Sequence, residues 1–118
     1  MIRLMPDAAD SQARFDRLAQ VMTKLDGVAL GSSGRGFGSG ALQINGRIFA
    51  MLTGGHLVVK LPRERVVSLV RSGEGLPFDA GKGRPMKEWV AIAGGGDKAW
   101  AAHATEARNF VSRLSGSN

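Results

Sequence analysis

The chain has 118 residues and a mass of 12.5 kDa, which predicts one domain over residues 1–118 with an ordered core about residues 10–114. Hydrophobic residues make up 43% and charged residues 22% of the sequence, as in a globular rather than a disordered protein. The formal net charge is +6. Cysteine is absent, which excludes disulfides, thiolate zinc sites, iron–sulfur clusters and thiol catalysis.

Apolar segments are short throughout the sequence. Met1–Met5 is too short for the apolar core of a signal peptide. No stretch approaches the run of about 20 apolar residues that a membrane helix needs. We therefore expect a cytoplasmic protein without a membrane partner.

The first predicted element is an amphipathic helix. Asp10 and Ser11 are candidate N-caps, and Gly27 is a suitable stop because glycine adopts a left-handed conformation at little cost. The apolar residues between them recur with the helical period. They are Phe15, Leu18, Val21, Met22 and Leu25.

A group of short strands follows the first helix. Val28–Leu30 is a strand candidate, and the glycine-rich segment Gly31–Gly40 after it reads as a loop. Asn45-Gly46 separates the strands Ala41–Ile44 and Arg47–Leu52, a strong hairpin signal, and Gly54-Gly55 leads into the strand His56–Leu61. The connections among the three strands after the glycine-rich loop are too short for parallel crossovers, so we predict that these strands form an antiparallel meander.

The second half of the chain alternates helix and strand. Pro62 suits the first turn of a helix with the apolar stripe Val66, Val67 and Val70, ended by Gly73. Residues 74–85 read as a loop, Met86–Ala93 as a fifth strand, and Asp97 as the N-cap of a last helix. The stripe of that helix is Trp100, Ala104, Ala107, Val111 and Leu114. Together these elements predict an α+β fold, with an antiparallel sheet of about five strands and three helices packed against it.

Motifs for catalysis and for cofactor binding are weak. The glycines of residues 31–40 match neither a dinucleotide nor a Walker phosphate loop and lead into a strand, which leaves a mobile loop as the main interpretation and anion capture as an alternative. His56 and His103 are far apart in sequence, without a metal-ligand spacing. No serine lies in a nucleophile elbow. We expect no enzyme activity, no cofactor and no metal site.

Basic residues concentrate between positions 60 and 87. This span carries seven basic and three acidic residues, a net +4 of the chain's +6. Such charge suits an acidic protein or the phosphates of a nucleic acid, although a solvated basic face is the more ordinary interpretation. Aromatic residues, which single-stranded nucleic-acid binders normally add, make up only 6%. The candidate contact residues are Lys60, Arg63, Arg65, Lys82, Arg84 and Lys87.

Four segments carry a resemblance to a known family. Phe37–Ala50 contains Phe-Gly, a small-residue loop, an apolar strand, Gly-Arg and Phe-Ala; Leu57–Lys60 is an apolar strand closed by lysine. Pro77-Phe78 and Met86–Val90 follow in the same order. In these features the chain resembles the N-terminal domain of the TfoX/Sxy competence regulators and the related MmcQ/YjbR group. It departs from the family at Gly40–Gln43, where the family has an aromatic-rich pattern.

The resemblance implies a compact α+β regulatory domain that is associated with DNA in some members. We therefore expect a non-enzymatic domain that binds an acidic partner, protein or nucleic acid, through its basic surface. Two alternatives remain: a protein-interaction module that does not bind nucleic acid, and a small domain that binds an anion.

Overall fold

The computed structural model describes residues 8–31, 40–79, 83 and 86–116. Within these residues, three helices accompany one sheet of six antiparallel strands, so the predicted α+β class is confirmed, with one strand more than expected. The elements are α1 (Ala8–Met22), β1 (Val28–Gly31), β2 (Ala41–Ile44), β3 (Arg47–Thr53), β4 (His56–Lys60), α2 (Arg63–Ser72), β5 (Gly75–Pro77), β6 (Trp89–Ile92) and α3 (Gly96–Gly116).

The sheet has the spatial order β1-β2-β3-β4-β6-β5. Strands β2, β3 and β4 form the predicted meander, because two tight turns connect them, and β1 pairs with β2 at one edge. Asn45 and Gly46 both have positive φ, 54° and 86°, and Gly54 and Gly55 have 60° and 84°, as turns of this type require. The last strand in sequence, β6, then pairs with β4, and β5 forms the edge beside it.

An irregularity in the meander directs one large side chain into the core. Leu42 is opposite Ala50 while the next residue, Gln43, is opposite Ile48, so Phe49 is an extra residue in β3. Side chains alternate between the faces of a regular strand, but an extra residue interrupts that alternation. Phe49 and Ala50 are consequently both fully buried.

The three helices share a single hydrophobic core with one face of the sheet. Ala50, Val59 and Val90 are cross-strand neighbours in this core. Helices α1 and α3 also pack on each other. The helical core residues are Phe15, Leu18, Ala19 and Met22 of α1, Val66 and Leu69 of α2, and Trp100, Ala104, Ala107 and Val111 of α3.

Several predicted boundaries and stripe positions are wrong. Helix α1 begins at Ala8, so Ser11 lies inside it; its buried hydroxyl donates to the carbonyl oxygen of Gly55 at 3.0 Å and connects the helix to the β3–β4 turn. Val21 and Leu114, expected in apolar stripes, are exposed, and α1 ends at Met22, so Leu25 lies beyond the helix and is exposed as well.

The region between α2 and β6 also differs from the prediction. The expected strand Met86–Ala93 is shorter, Trp89–Ile92, and the expected loop contains β5. Pro62 precedes α2 rather than lying in its first turn, and its carbonyl oxygen accepts from the backbone N–H groups of Arg65 and Val66. Gly73 ends α2 as predicted, with φ 89°.

Candidate functional site

Helix α2 has a buried face and an exposed face that differ in character. Val66 and Leu69 are buried, whereas Val67 is 47% exposed, although the sequence predicted it in the buried stripe. Arg63 and Arg71 lie one turn before and one turn after Val67. Residues four apart share a helix face. The exposed face of α2 therefore presents an apolar side chain between two arginines.

This face forms one wall of an open groove, which we call the α2 groove. The end of β5 and the residues before β6 form the other wall, where the backbone N–H of Met86 donates to the carbonyl oxygen of Phe78 at 2.8 Å. The groove has a volume of about 470 Å³. Its lining residues are Arg63, Val66, Val67, Val70, Arg71, Pro77, Met86 and Lys87.

The charges around the α2 groove are of one sign and are not neutralised. Among the described residues, Arg63, Arg71 and Lys87 take part in no hydrogen bond or ion pair, and no acidic residue lines the groove. A guanidinium or ammonium group without a protein partner remains available to an external carboxylate or phosphate. The groove thus combines an apolar floor with a cationic rim.

Other basic residues predicted for the contact surface are engaged elsewhere. Lys60 lies 3.6 Å from the carboxylate of Glu88 and over the ring of Trp89, with its Nζ 5.6 Å from the ring centroid. Arg65 forms an ion pair with Glu106 of α3 at 2.8 Å. Arg65 is two positions from Arg63, and residues with that spacing point to different sides of a helix.

The six predicted residues are therefore not all brought to one place. Arg63 and Lys87 meet at the α2 groove, whereas Lys60 and Arg65 have acidic partners outside it. Lys82 and Arg84 lie outside the described residues. The prediction did not include Arg71, the third cation of the rim. The spacing Arg63, Val67, Arg71 was the signal in the sequence that could have identified it.

A second cluster of charges fastens α1 to the start of α3. Arg14 and Arg17 both donate to the Asp97 carboxylate, at 3.0 and 2.7 Å, and Arg14 lies over the Trp100 ring. The hydrogen bond from Arg17 holds the pKa of Asp97 below its usual value, and the pKa of Arg17 is raised in return. Asp97 is in the first turn of α3 and pairs with these arginines, so its role is to connect two helices.

A second cavity, of about 430 Å³, lies where α2 ends and α3 begins. Its lining includes Glu74, Gly94, Gly95 and His103. Nδ1 of His103 is buried and lacks a hydrogen-bond partner among the described residues. Burial lowers the pKa of His103; Arg65 acts in the same direction, and the carboxylates of Glu106 and Glu74 oppose it. The imidazole is thereby favoured in its neutral form.

Neither histidine belongs to a metal-ligand cluster in the part of the chain that the structure describes. No three histidine or acidic side chains there are close enough together to hold a metal ion. The described helices also include none with the length and apolar character needed to cross a membrane.

Comparison of the chain with known protein family models, with curated protein sequences and with solved structures finds no match. Functional assignment therefore depends on the residues and their geometry.

Proposed function

We propose that the chain is a non-enzymatic regulatory domain, of the type that its sequence resembles in the TfoX/Sxy N-terminal domain, and that it binds an acidic partner. Its contact surface is the rim of the α2 groove, with Arg63, Arg71 and Lys87 as the residues that meet the partner. The observation that carries the proposal is that these three cations surround one groove whose described lining residues include no acidic side chain.

The ion pairs of four other cations argue against those residues as the contact surface. Arg14, Arg17, Lys60 and Arg65 each lie beside a carboxylate of the chain itself, which competes with any external anion. Neutralising a second chain's charges is most favourable where no intramolecular partner must first be displaced. A cationic patch also raises the association rate of an acidic partner through its long-range field.

A titration with acidic polymers tests this proposal. Polyglutamate and duplex DNA, each labelled with fluorescein, are titrated with the protein at about 50 mM and about 200 mM salt. We expect at least one polymer to bind, with an affinity that falls with salt because counterions are released on binding. The double variant Arg63→Glu/Lys87→Glu should bind much more weakly.

A matched double variant separates the groove from net charge. Lys24, two residues after α1, and Arg47, the first residue of β3, are both exposed. Neither is among the residues that line the groove. Lys24→Glu/Arg47→Glu changes the net charge by the same amount. Equal weakening by both double variants, or binding that is insensitive to salt, would contradict the proposal.

A further inference from the structure

The interior of the α2 groove contains more apolar surface than an exclusively ionic contact would use. Val66, Val67, Val70, Pro77 and Met86 line it between the three cations. The side chain of Val67, in the middle of the outer face of α2, is 47% exposed. Apolar surface of this kind contributes to binding only when a partner covers it with apolar groups of its own.

The chemistry of the lining favours a peptide over a nucleic acid. Bases that approach a protein surface are held by aromatic side chains, and the described residues that line the groove include none. Phosphates would engage the rim but would leave Val67 and Met86 facing a polar backbone. A peptide with apolar side chains next to carboxylates would satisfy both parts of the groove.

The spacing of the two arginines gives the arrangement that such a peptide needs. Arg63 and Arg71 are eight positions apart in α2, and a helix rises about 1.5 Å per residue, so their backbones are separated by about 12 Å along the axis. Val67 and Val70 lie between them. The matching ligand therefore has apolar side chains in its centre and a carboxylate on each side.

We propose that the α2 groove binds a peptide segment of a partner protein in which apolar side chains are flanked on both sides by glutamate or aspartate. This inference rests on the proposed function, because it names the class of acidic partner that uses the same rim. The apolar side chains pack on Val67, Val70 and Met86, and the carboxylates pair with Arg63, Arg71 and Lys87.

Three sets of short labelled peptides test the inference by fluorescence anisotropy. In the first set, two leucines lie one, three or four positions apart, and glutamates flank them on both sides. The second replaces the leucines with serine, and the third replaces the glutamates with glutamine. We expect a member of the first set to bind at least about tenfold more tightly than its counterparts in the other two sets, since both contacts contribute.

The variant Val67→Ser measures the apolar contact in the protein. We expect it to weaken binding of the leucine–glutamate peptide about tenfold and to leave polyglutamate binding unchanged. Val21→Ser is the matched control, because Val21 is also an exposed valine of a helix and lies outside the groove. Thermal unfolding of both variants confirms that they are folded.

The outcomes separate the inference from the function on which it rests. If polyglutamate or DNA binds through Arg63 and Lys87 but leucine brings no gain in any register, the inference is overturned and the proposed function stands. A loss of DNA affinity in Val67→Ser equal to the loss of peptide affinity would also overturn it. If no acidic probe binds at all, both fail together.

Discussion

Gly75 shows how a single missing side chain positions the wall of the α2 groove. A Cβ placed on this residue would lie 2.6 Å from Cγ2 of Val90 and 3.1 Å from Cβ of Leu69. These two neighbours are buried, in β6 and α2 respectively. The edge strand β5 can approach both elements only because residue 75 has no side chain, and Pro77, two residues further along β5, lines the groove.

We therefore expect Gly75→Ala to destabilise the protein by about 1–3 kcal/mol, the usual cost of overpacking a core. Chemical denaturation gives the free energy of unfolding. Gly46→Ala is a poor comparison because of its positive φ, whereas Gly94→Ala is suitable: nothing lies within 4 Å of a Cβ there. A Gly75→Ala variant as stable as the wild type would show that β5 packs less closely than described.

His103 has a pH dependence whose sign follows from its burial. Its pKa is lowered in the folded protein, so the unfolded chain binds a proton more readily than the folded chain does. His103 therefore destabilises the fold increasingly as the pH falls from its pKa in the unfolded chain, about 6.5, towards its lower pKa in the folded protein. At higher pH its contribution to stability is constant.

We expect the wild type to lose more stability than His103→Gln when the pH is lowered from about 7.5 to about 5. Urea denaturation at both values measures the difference. The paired carboxylate of Asp97, whose pKa is lowered, loses its contribution only at more acidic pH and so stays outside this window. An identical pH dependence in the two proteins would contradict the burial of the His103 imidazole.

Helix α2 is the element on which fold and proposed function meet. Its buried face holds Leu69, which is 1% exposed, and its outer face holds Val67. Truncating a fully buried leucine costs about 2–5 kcal/mol, whereas a surface substitution in a helix changes stability by less than about 0.5 kcal/mol.

We expect Leu69→Ala to destabilise the protein by about 2–5 kcal/mol and Val67→Ser by less than about 0.5 kcal/mol, since valine and serine have similar helix propensities. Thermal and chemical denaturation of the two variants check the contrast. Comparable destabilisation by both would mean that Val67 belongs to the core, and would remove it from the binding surface.

Regular periodicity made most elements predictable, and irregular features account for the rest. The turns at Asn45-Gly46 and Gly54-Gly55 and the last helix follow from local sequence alone. Strand β5 is only Gly75–Pro77, too short to show an alternating pattern and composed partly of residues that strands avoid. The extra residue at Phe49 and the exposure of Val67 depend on packing between elements, which no local pattern encodes.

The candidate site was predictable in part for the same reason. The excess of cations between residues 60 and 87 is visible in the sequence and includes Arg63 and Lys87. Which cations remain available depends on partners that are distant in sequence: Arg65 pairs with Glu106, 41 positions away. The pairing removes Arg65 from the surface that its local charge pattern suggested.

At the scale of the whole molecule, the net charge is +6, and some of its cations are paired with carboxylates of the chain while others are not. The carboxylate of Asp97 pairs with two arginines and connects α1 to α3. Glu88, immediately before β6, pairs with Lys60, and Glu106 of α3 pairs with Arg65. The α2 groove holds Arg63, Arg71 and Lys87, which have no such partners in the part of the chain that the structure describes. The meeting of three such cations in one groove, rather than charge density in the sequence, is therefore the basis for proposing this side of the molecule as the contact surface.

The most direct test of that placement is the change in backbone amide chemical shifts during titration of the ¹⁵N-labelled protein with a leucine–glutamate peptide. We predict that the largest changes fall on the amides of residues 63–71 and on those of Met86 and Lys87, while the amides of α1 and α3 stay near their free positions. Changes centred on α1, on α3 or on the first three strands, or no changes at saturating peptide, would contradict the account.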